Sequence, residues 1–359
     1  MEAESVKRGT QDSPNRPMSR LYPKGLNGRM IRLQRQTLAD VETLPGLQQA
    51  LQNAIQLEHA TLPTYLYAFW SLDGDKNPEI SGLIHPIVRQ EMSHFGLAGN
   101  ILNAIGGHPL INDPSFVPSY PGPLPGGVES GLIVPLAPFS IDLVGNVFMV
   151  IEEPEDPLAF AAADGLTIGE FYAAIKEQIQ QRGASIFTGN PDLQVTSGFP
   201  PVTPVTDVDS AVAAIDTIVE QGEGTSQSPD ASSGDLAHYY RFGEVFHGKE
   251  LIPNPSPPPA FAYAGDPIPF DPTGVLPVVT NPTSSLYPQG SPAQQANDAF
   301  NATYTTLLGD LHSAFNGTPD DLNAAVGDMF TLQDQAAALM AIELGDGTNA
   351  GPTFEFRET

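Results

Sequence analysis

The chain has 359 residues, of which 42 are acidic and 15 basic, and its formal net charge is −27. Such an acidic surface repels phosphate backbones and anionic lipids, which disfavours nucleic acids and membranes as partners. The chain has no cysteine, so disulfides, thiolate metal sites and cysteine nucleophiles are excluded. The polar start lacks the apolar core of a secretory signal, and no apolar run is as long as a membrane span, so we expect a cytoplasmic protein.

The first half of the chain predicts two long helices. Apolar residues recur at helical spacing over residues 44–72, and Pro63 is expected to kink that helix. The same spacing over residues 79–105 predicts a second helix, which ends at Gly106 because a glycine commonly follows the last helical turn. Residues 108–138 contain eight prolines and show no period, so a long loop is expected there.

The rest of the chain predicts more helices separated by loops rich in proline and glycine. Six stretches show helical spacing: residues 139–154, 167–181, 206–224, 235–248, 291–315 and 319–342. Thr167 and Glu170 have the form of a capping box. Residues 252–290 are again rich in proline, and no set of alternating strands is recognisable, so the fold class is predicted to be mainly α.

Three of these helices carry a glutamate on an otherwise apolar face. In the second helix Glu91 and His94 interrupt a stripe of eight apolar residues. Glu58 interrupts the apolar stripe of the first helix, and Glu152 follows Phe148 by four positions on the third. Because a carboxylate is seldom buried without a partner, packing alone does not explain three of them.

A shared cation explains the pattern. Helical bundles hold two irons or manganeses with a Glu from one helix and a Glu-x-x-His from its neighbour, and then repeat the arrangement. The second half should therefore supply a further Glu and His. The candidates are Glu220 or Glu223, of which Glu223 is closer to the apolar side of its helix, together with His238.

Other interpretations of these residues stay open. A single Glu-x-x-His is more commonly a core histidine paired with its glutamate, and a single buried Glu more commonly forms a salt bridge. No Lys or Arg falls on the three apolar stripes, however, which favours a metal. Tyr65 is either a core aromatic or a catalytic, redox-active neighbour of the site. Glu153 is expected at the surface with Glu155 and Asp156, and His59 beside the site or at the surface.

Motifs of other enzyme classes are missing from the sequence. There is no Gly-x-Gly-x-x-Gly after a strand, no P-loop, no His-Glu-x-x-His and no Gly-x-Ser-x-Gly. Nucleotide cofactors and serine hydrolysis are therefore not supported.

Three segments also resemble a known family. The stretches "IQLEHATLPTYLYAFWSL", "RQEMSHFGLAGNILNAIGGHP" and "FMVIEEPEDP" are similar to the ferritin-like domain of the iminophenyl-pyruvate dimer synthase (VioB-like) family, in its stand-alone form. The shorter motifs "TIGEFYAAI", "IVEQGEG", "HYYRFGE" and "GPTFEF" extend the resemblance over residues 40–355. The chain is much shorter than the full VioB type.

The resemblance implies a ferritin-like fold and chemistry on a small organic molecule, such as an imine derived from an amino acid, in specialised metabolism. It also implies that Glu58, Glu91, His94 and Glu152 occupy metal-binding positions. The organisation along the chain predicts four segments: a flexible leader (1–40), a ferritin-like metal-binding bundle (41–250), a proline-rich connection (251–290) and a C-terminal helix pair that packs on the bundle (291–359).

The sequence therefore predicts a di-iron oxidoreductase that uses dioxygen on a small metabolite, with two irons per chain and manganese as the other candidate. One alternative is metal-assisted condensation or imine coupling without redox chemistry. Another is a metal-storage or purely structural protein. Four aromatic residues are expected to wall the site: Tyr65, Phe69, Phe95 and Phe148.

Overall fold

The computed structural model describes residues 38, 40–125, 131–154, 167–197 and 202–357. The leader predicted at residues 1–40 lies outside this part of the chain apart from residues 38 and 40. The described residues are mainly helical, as predicted. None of their helices is both long and apolar enough to cross a membrane.

Two long helices, α1 (Leu44–Trp70) and α2 (Pro78–Ala104), pack along each other at the centre of the molecule. The Thr43 side chain accepts the Gly46 N–H at 3.1 Å and so begins α1, which contains Pro63 without interruption. After α2, Gly106 adopts a φ of +75°, the left-handed conformation that its position predicted.

The third helical stretch, α3, contains a π-helical segment. It consists of Ile141–Leu143, the π segment Val144–Phe148 and Met149–Ile151. A π segment inserts an extra residue per turn and is found frequently at functional sites. Glu152 directly follows α3 as its C-cap residue, with φ −91° and ψ 7°.

Three further helices cover one side of the α1 and α2 pair: α4 (Ile168–Arg182), α5 (Val208–Glu223) and α6 (His238–His247). Helix α4 contacts α1 and α5, while α6 contacts α2, α3 and α5. The predicted capping box at Thr167 and Glu170 is present, with both hydrogen bonds formed.

A two-stranded antiparallel sheet follows α6, where the sequence predicted no strand. Strand β1 (Lys249–Pro253) pairs with β2 (Phe261–Pro267). Both strands end at a proline, and none of their residues is buried. Without a buried face the strands lack the alternation of apolar and polar residues that identifies a strand in a sequence.

The last two helices, α7 (Pro292–Phe315) and α8 (Leu322–Met340), pack on each other and contact α1 and α2. His59 of α1 is buried there, and its Nε2 lies 2.7 Å from the hydroxyl of Tyr304 on α7. Burial lowers the pKa of His59 to about 3, so the ring is neutral. The interpretation of His59 as a surface residue is therefore wrong.

Gly99 of α2 allows α7 to approach closely. A Cβ atom at Gly99 would lie 2.5 Å from the ring of Phe315, which is only 1% exposed. We expect Gly99→Ala to lower the free energy of unfolding by about 1–3 kcal/mol, because the buried ring has little room to move. Urea denaturation followed by circular dichroism measures the change.

Gly82 of the same helix is the matched control, since nothing lies within 4 Å of a Cβ placed there. Gly82→Ala should raise the free energy of unfolding by about 0.5–1 kcal/mol through helix propensity alone. Equal effects of the two substitutions would contradict the close packing of α2 on α7.

Candidate metal centre

Five buried side chains form two overlapping groups that could hold metal ions. One group is Glu58, Glu91 and His94, and the other is Glu91, Glu152 and His238. Within each group the ligand atoms lie within 4.8 Å of one another, and each of the five residues is 4% exposed or less. Glu91 belongs to both groups, so its carboxylate is the common member of the cluster.

The cluster draws on four elements. Glu58 lies in the middle of α1, and Glu91 and His94 lie one turn apart on α2. Glu152 immediately follows α3, and His238 is the first residue of α6. The structure thus brings together five of the residues that the sequence predicted as ligands.

Both imidazoles direct Nδ1 towards the carboxylates. His238 Nδ1 lies 2.8 Å from Oε1 of Glu91 and 3.6 Å from Oε2 of Glu152. His94 Nδ1 lies 3.8 Å from the same Oε1 of Glu91 and 3.7 Å from Oε2 of Glu58. The two rings are stacked, with their centroids 5.5 Å apart. One oxygen of Glu91 therefore faces both histidines.

The other ring nitrogen of each histidine is held by a glutamine. Nε2 of His94 lies 2.8 Å from Oε1 of Gln221, and Nε2 of His238 lies 3.1 Å from Oε1 of Gln90. An amide oxygen only accepts hydrogen bonds, so Nε2 carries the proton in each ring. In a neutral imidazole Nδ1 then has a free lone pair, as a metal ligand requires.

Each carboxylate has one oxygen that accepts a hydrogen bond from a hydroxyl. Tyr172 donates to Oε1 of Glu58 at 2.5 Å, and Tyr65 donates to Oε1 of Glu152 at 2.5 Å. Thr61 donates to Oε2 of Glu91 at 3.0 Å. The remaining oxygens are those that lie closest to the imidazoles. Three oxygen and two nitrogen atoms are thus left to face the centre of the cluster.

The charges in the cluster are not balanced by basic side chains. Among the described residues, the ion pairs of these carboxylates involve only His94 and His238. Burial raises the pKa of Glu91, and the charges of Glu152 and Glu58 raise it further. Burial alone would lower the pKa of His94, but the neighbouring carboxylates of Glu58 and Glu91 outweigh burial and raise it.

One atom in particular fits a bound cation. His238 Nδ1 is buried and lies 2.8 Å from Oε1 of Glu91, yet the two atoms are not oriented for a hydrogen bond. Two electron-rich atoms at this distance repel each other unless a positive charge lies near both. Carboxylate and imidazole ligands suit iron and manganese, so the donor set fits the metals that the sequence predicted.

Glu220 and Glu223 are not in either group. Glu220 accepts the N–H of Ser232 at 2.9 Å, and Glu223 accepts the N–H of Gly169 at 2.6 Å. Helix α5 instead contributes Gln221, which lies between them in the sequence. The role of either glutamate as a ligand stays a prediction, without support from this arrangement.

Sequence analysis missed Gln90, Gln221 and Tyr172. Glutamine is not a usual ligand for iron or manganese, so neither amide belongs to the pattern of carboxylates and histidines that predicts a metal site. Tyr172 shares the buried face of α4 with Ile175 and Ile179, and this helical spacing was the signal that the sequence offered. Glu153 was expected at the surface but is 4% exposed, while Glu155 and Asp156 lie outside the described residues.

The aromatic residues expected around the site divide into two groups. Tyr65 and Phe148 are in edge contact, with ring centroids 4.7 Å apart, beside the cluster. Phe69 and Phe95 instead line a separate apolar cavity. A polar cavity of about 600 Å³ includes Gln90 and Gln221 in its wall, so the amides that hold the histidines face an open space.

Comparisons with known proteins identify the family and the fold. A family model described as "Ferritin-like" matches residues 51–247. The chain is 27% identical over 392 aligned positions to dichlorochromopyrrolate synthase from Lentzea aerocolonigenes, covering 89% of this chain and 36% of that protein. The chain therefore spans about a third of the length of this relative. A ferritin-like protein from Caulobacter vibrioides shares 28% identity with a TM-score of 0.57, over 82% of this chain and 95% of that one.

The two glutamines should control metal affinity. We expect Gln221→Leu and Gln90→Leu each to weaken Co(II) binding by about ten- to hundredfold, because an imidazole that has lost its acceptor no longer holds Nδ1 towards the cluster. Anaerobic titration against a chelating dye measures the affinity. Gln180→Leu, at an exposed position of α4, is the control and should bind as the wild type does. Unchanged affinity in both cluster variants would rule out this positioning role.

Proposed function

The chain belongs to the ferritin-like family, and we propose that it is a di-iron oxidoreductase that uses dioxygen on a small, amino-acid-derived metabolite in specialised biosynthesis. The mainly helical, ferritin-like fold is confirmed by the family match and by the solved relative. The resemblance to the dimer synthase family is confirmed by the similarity to dichlorochromopyrrolate synthase. A buried cluster that could hold metal is present. The metal, the use of dioxygen and the substrate are parts of the proposal.

The convergence of five donor atoms carries the proposal. In every cluster residue the second polar atom of the side chain already has a partner, which is a hydroxyl for the carboxylates and an amide for the imidazoles. The remaining atom, which is Nδ1 of each histidine and the other oxygen of each carboxylate, is thereby directed towards the centre of the cluster. A structural network of ion pairs gives no reason for Nδ1 of both histidines and one oxygen of each carboxylate to gather in two overlapping groups of three.

The protein's own residues position and enclose the site. Glu58, Glu91, His94, Glu152 and His238 would bind the metals. Tyr65 and Tyr172 hold Glu152 and Glu58 by one oxygen, which favours binding through the other. Phe148 and Phe242 pack against Tyr65 and keep water from that side. Bound iron would supply the electrons for reduction of dioxygen, which these side chains do not supply.

The polar cavity supports a small-molecule substrate. Its volume is about 600 Å³, and its wall includes Gln90, Gln221, Arg89 and Arg241. Cavities of this size are typical of sites for small ligands. Gln90 and Gln221 are in this wall and also contact His238 and His94, so they connect the cavity to the cluster.

A second candidate function is metal-assisted condensation without redox chemistry. It is favoured by the name of the relative, which is a synthase. In that case the metals would act as Lewis acids on a carbonyl or imine, and dioxygen would not be consumed. Oxygen uptake therefore distinguishes the two functions.

Iron loading tests the proposal directly. We expect anaerobic titration with Fe(II) to reach two irons per chain, and exposure to air to cause oxygen uptake that an electrode records. Glu91→Gln should abolish both, because Glu91 is shared by the two groups. Without metal, Glu91→Gln should be at least as stable as the metal-free wild type, since the substitution removes a buried carboxylate.

The alternatives give different outcomes in the same experiment. A structural protein would bind no iron, and Glu91→Gln would lower only its stability. A condensing enzyme would bind metal without oxygen uptake. Glu220→Gln and Glu223→Gln should each retain two irons, and loss of an iron from either would identify that residue as a further ligand.

Tyr65 and Tyr172 allow a catalytic role to be separated from a positioning role. We expect Tyr65→Phe and Tyr172→Phe to weaken Fe(II) binding to a similar extent. Each substitution removes the hydroxyl that donates a hydrogen bond to one carboxylate, Glu152 or Glu58. If Tyr65 also transfers an electron or proton, only Tyr65→Phe will slow oxygen uptake at saturating iron. Equal rates in both variants would leave Tyr65 with a positioning role alone.

A further inference from the structure

An apolar cavity lies on the other side of α1 and α2 from the metal centre. Its volume is about 210 Å³, and residues of α1, α2, α7 and α8 line it. None of the five cluster residues is in its wall. Seven aromatic side chains besides histidine contribute to the wall: Phe69, Trp70, Phe95, Tyr304, Phe315, Phe330 and Phe354.

A single buried imidazole gives this cavity a specific polar contact. His59 is in the wall, and its Nε2 lies 2.7 Å from the hydroxyl oxygen of Tyr304. Within the described residues, Nδ1 of His59 is buried and has no hydrogen-bond partner. Buried polar atoms are almost always paired, so an unpaired one beside a cavity indicates a missing partner.

The dimensions and lining define the partner. An engineered cavity of about 150 Å³ with aliphatic and aromatic walls stays dry and binds benzene. The present cavity is larger, at about 210 Å³. Aromatic walls favour a flat ring, which can pack against them face to edge. Most of the wall is apolar, although His85, Arg89 and Gln333 also contribute to it, so a neutral ligand is favoured over an ion that would lose its hydration.

We propose that this cavity binds a neutral aromatic molecule of about two fused rings that carries one hydrogen-bonding group, and that this group pairs with Nδ1 of His59. Arg89 lies between this cavity and the polar one, since it contributes to both walls. The site does not depend on the proposed oxidase function, because its wall contains no metal-binding candidate.

The only tryptophan of the chain provides a local signal. Trp70 is in the cavity wall and the sequence contains no other tryptophan. Full-length protein labelled with 5-fluorotryptophan should therefore show one ¹⁹F resonance. We expect 2-naphthol to shift this resonance and to bind with one molecule per chain in isothermal titration calorimetry. The affinity should be the same with and without bound metal.

Two substitutions test the location and the polar contact. Val326→Phe adds volume to the cavity wall and should weaken binding of 2-naphthol at least tenfold, whereas Leu110→Phe, at an exposed position outside the wall, should not. His59→Phe keeps a ring but removes Nδ1. This substitution should weaken the binding of 2-naphthol by about tenfold, which corresponds to the loss of one hydrogen bond, and leave the affinity for naphthalene unchanged.

Several results would overturn the inference. Absence of 2-naphthol binding, or binding that Val326→Phe leaves unchanged, would show that the cavity is not the site. Tighter binding of 2-naphthoate would show that an anion is preferred, and binding of 1-octanol in place of 2-naphthol would show that the ligand is aliphatic. By contrast, loss of 2-naphthol binding in Val326→Phe with unchanged metal binding would support the inference, because no cluster residue lies in the cavity wall.

Discussion

Burial of three carboxylates at one point is the constraint on which the rest of this structure depends. Like charges in a core raise one another's pKa, as Glu58 and Glu152 do for Glu91. Tyr65, Tyr172 and Thr61 each donate one hydrogen bond, but these bonds satisfy only one oxygen of each carboxylate. Bound cations would make this arrangement favourable, so under the proposed function the stability of the fold also depends on these five residues.

The constraint also explains the irregular parts of the helical bundle. The five residues come from four elements, and two of them lie at an end: Glu152 after α3 and His238 at the start of α6. The π segment Val144–Phe148 of α3 ends four residues before Glu152. Gln90 and Gln221 connect α2 and α5 to the histidines. A bound metal would therefore tie together elements that are distant in the sequence.

Helices α1 and α2 separate two environments of opposite character. Neighbouring residues on a helix point about 100° apart. Glu58 can thus face the cluster while His59 lines the apolar cavity, and His94 and Phe95 are divided in the same way. The C-terminal helices α7 and α8 close the apolar side, with Gly99 allowing the close approach of Phe315. The polar cavity lies along α2, α5 and α6.

The sequence by itself determined the long helices, their ends and the five polar residues that interrupt apolar faces, because helical spacing and capping are local properties of the chain. It also predicted Glu58, Glu91 and His94 as neighbours, since their pattern requires a common partner. Only the tertiary structure decided that Gln221, and neither Glu220 nor Glu223, contacts His94. It also decided that Tyr172 donates a hydrogen bond to Glu58. Which side chain arrives from a neighbouring helix depends on the rotation and separation of packed helices, and these are set by contacts between residues far apart in the sequence.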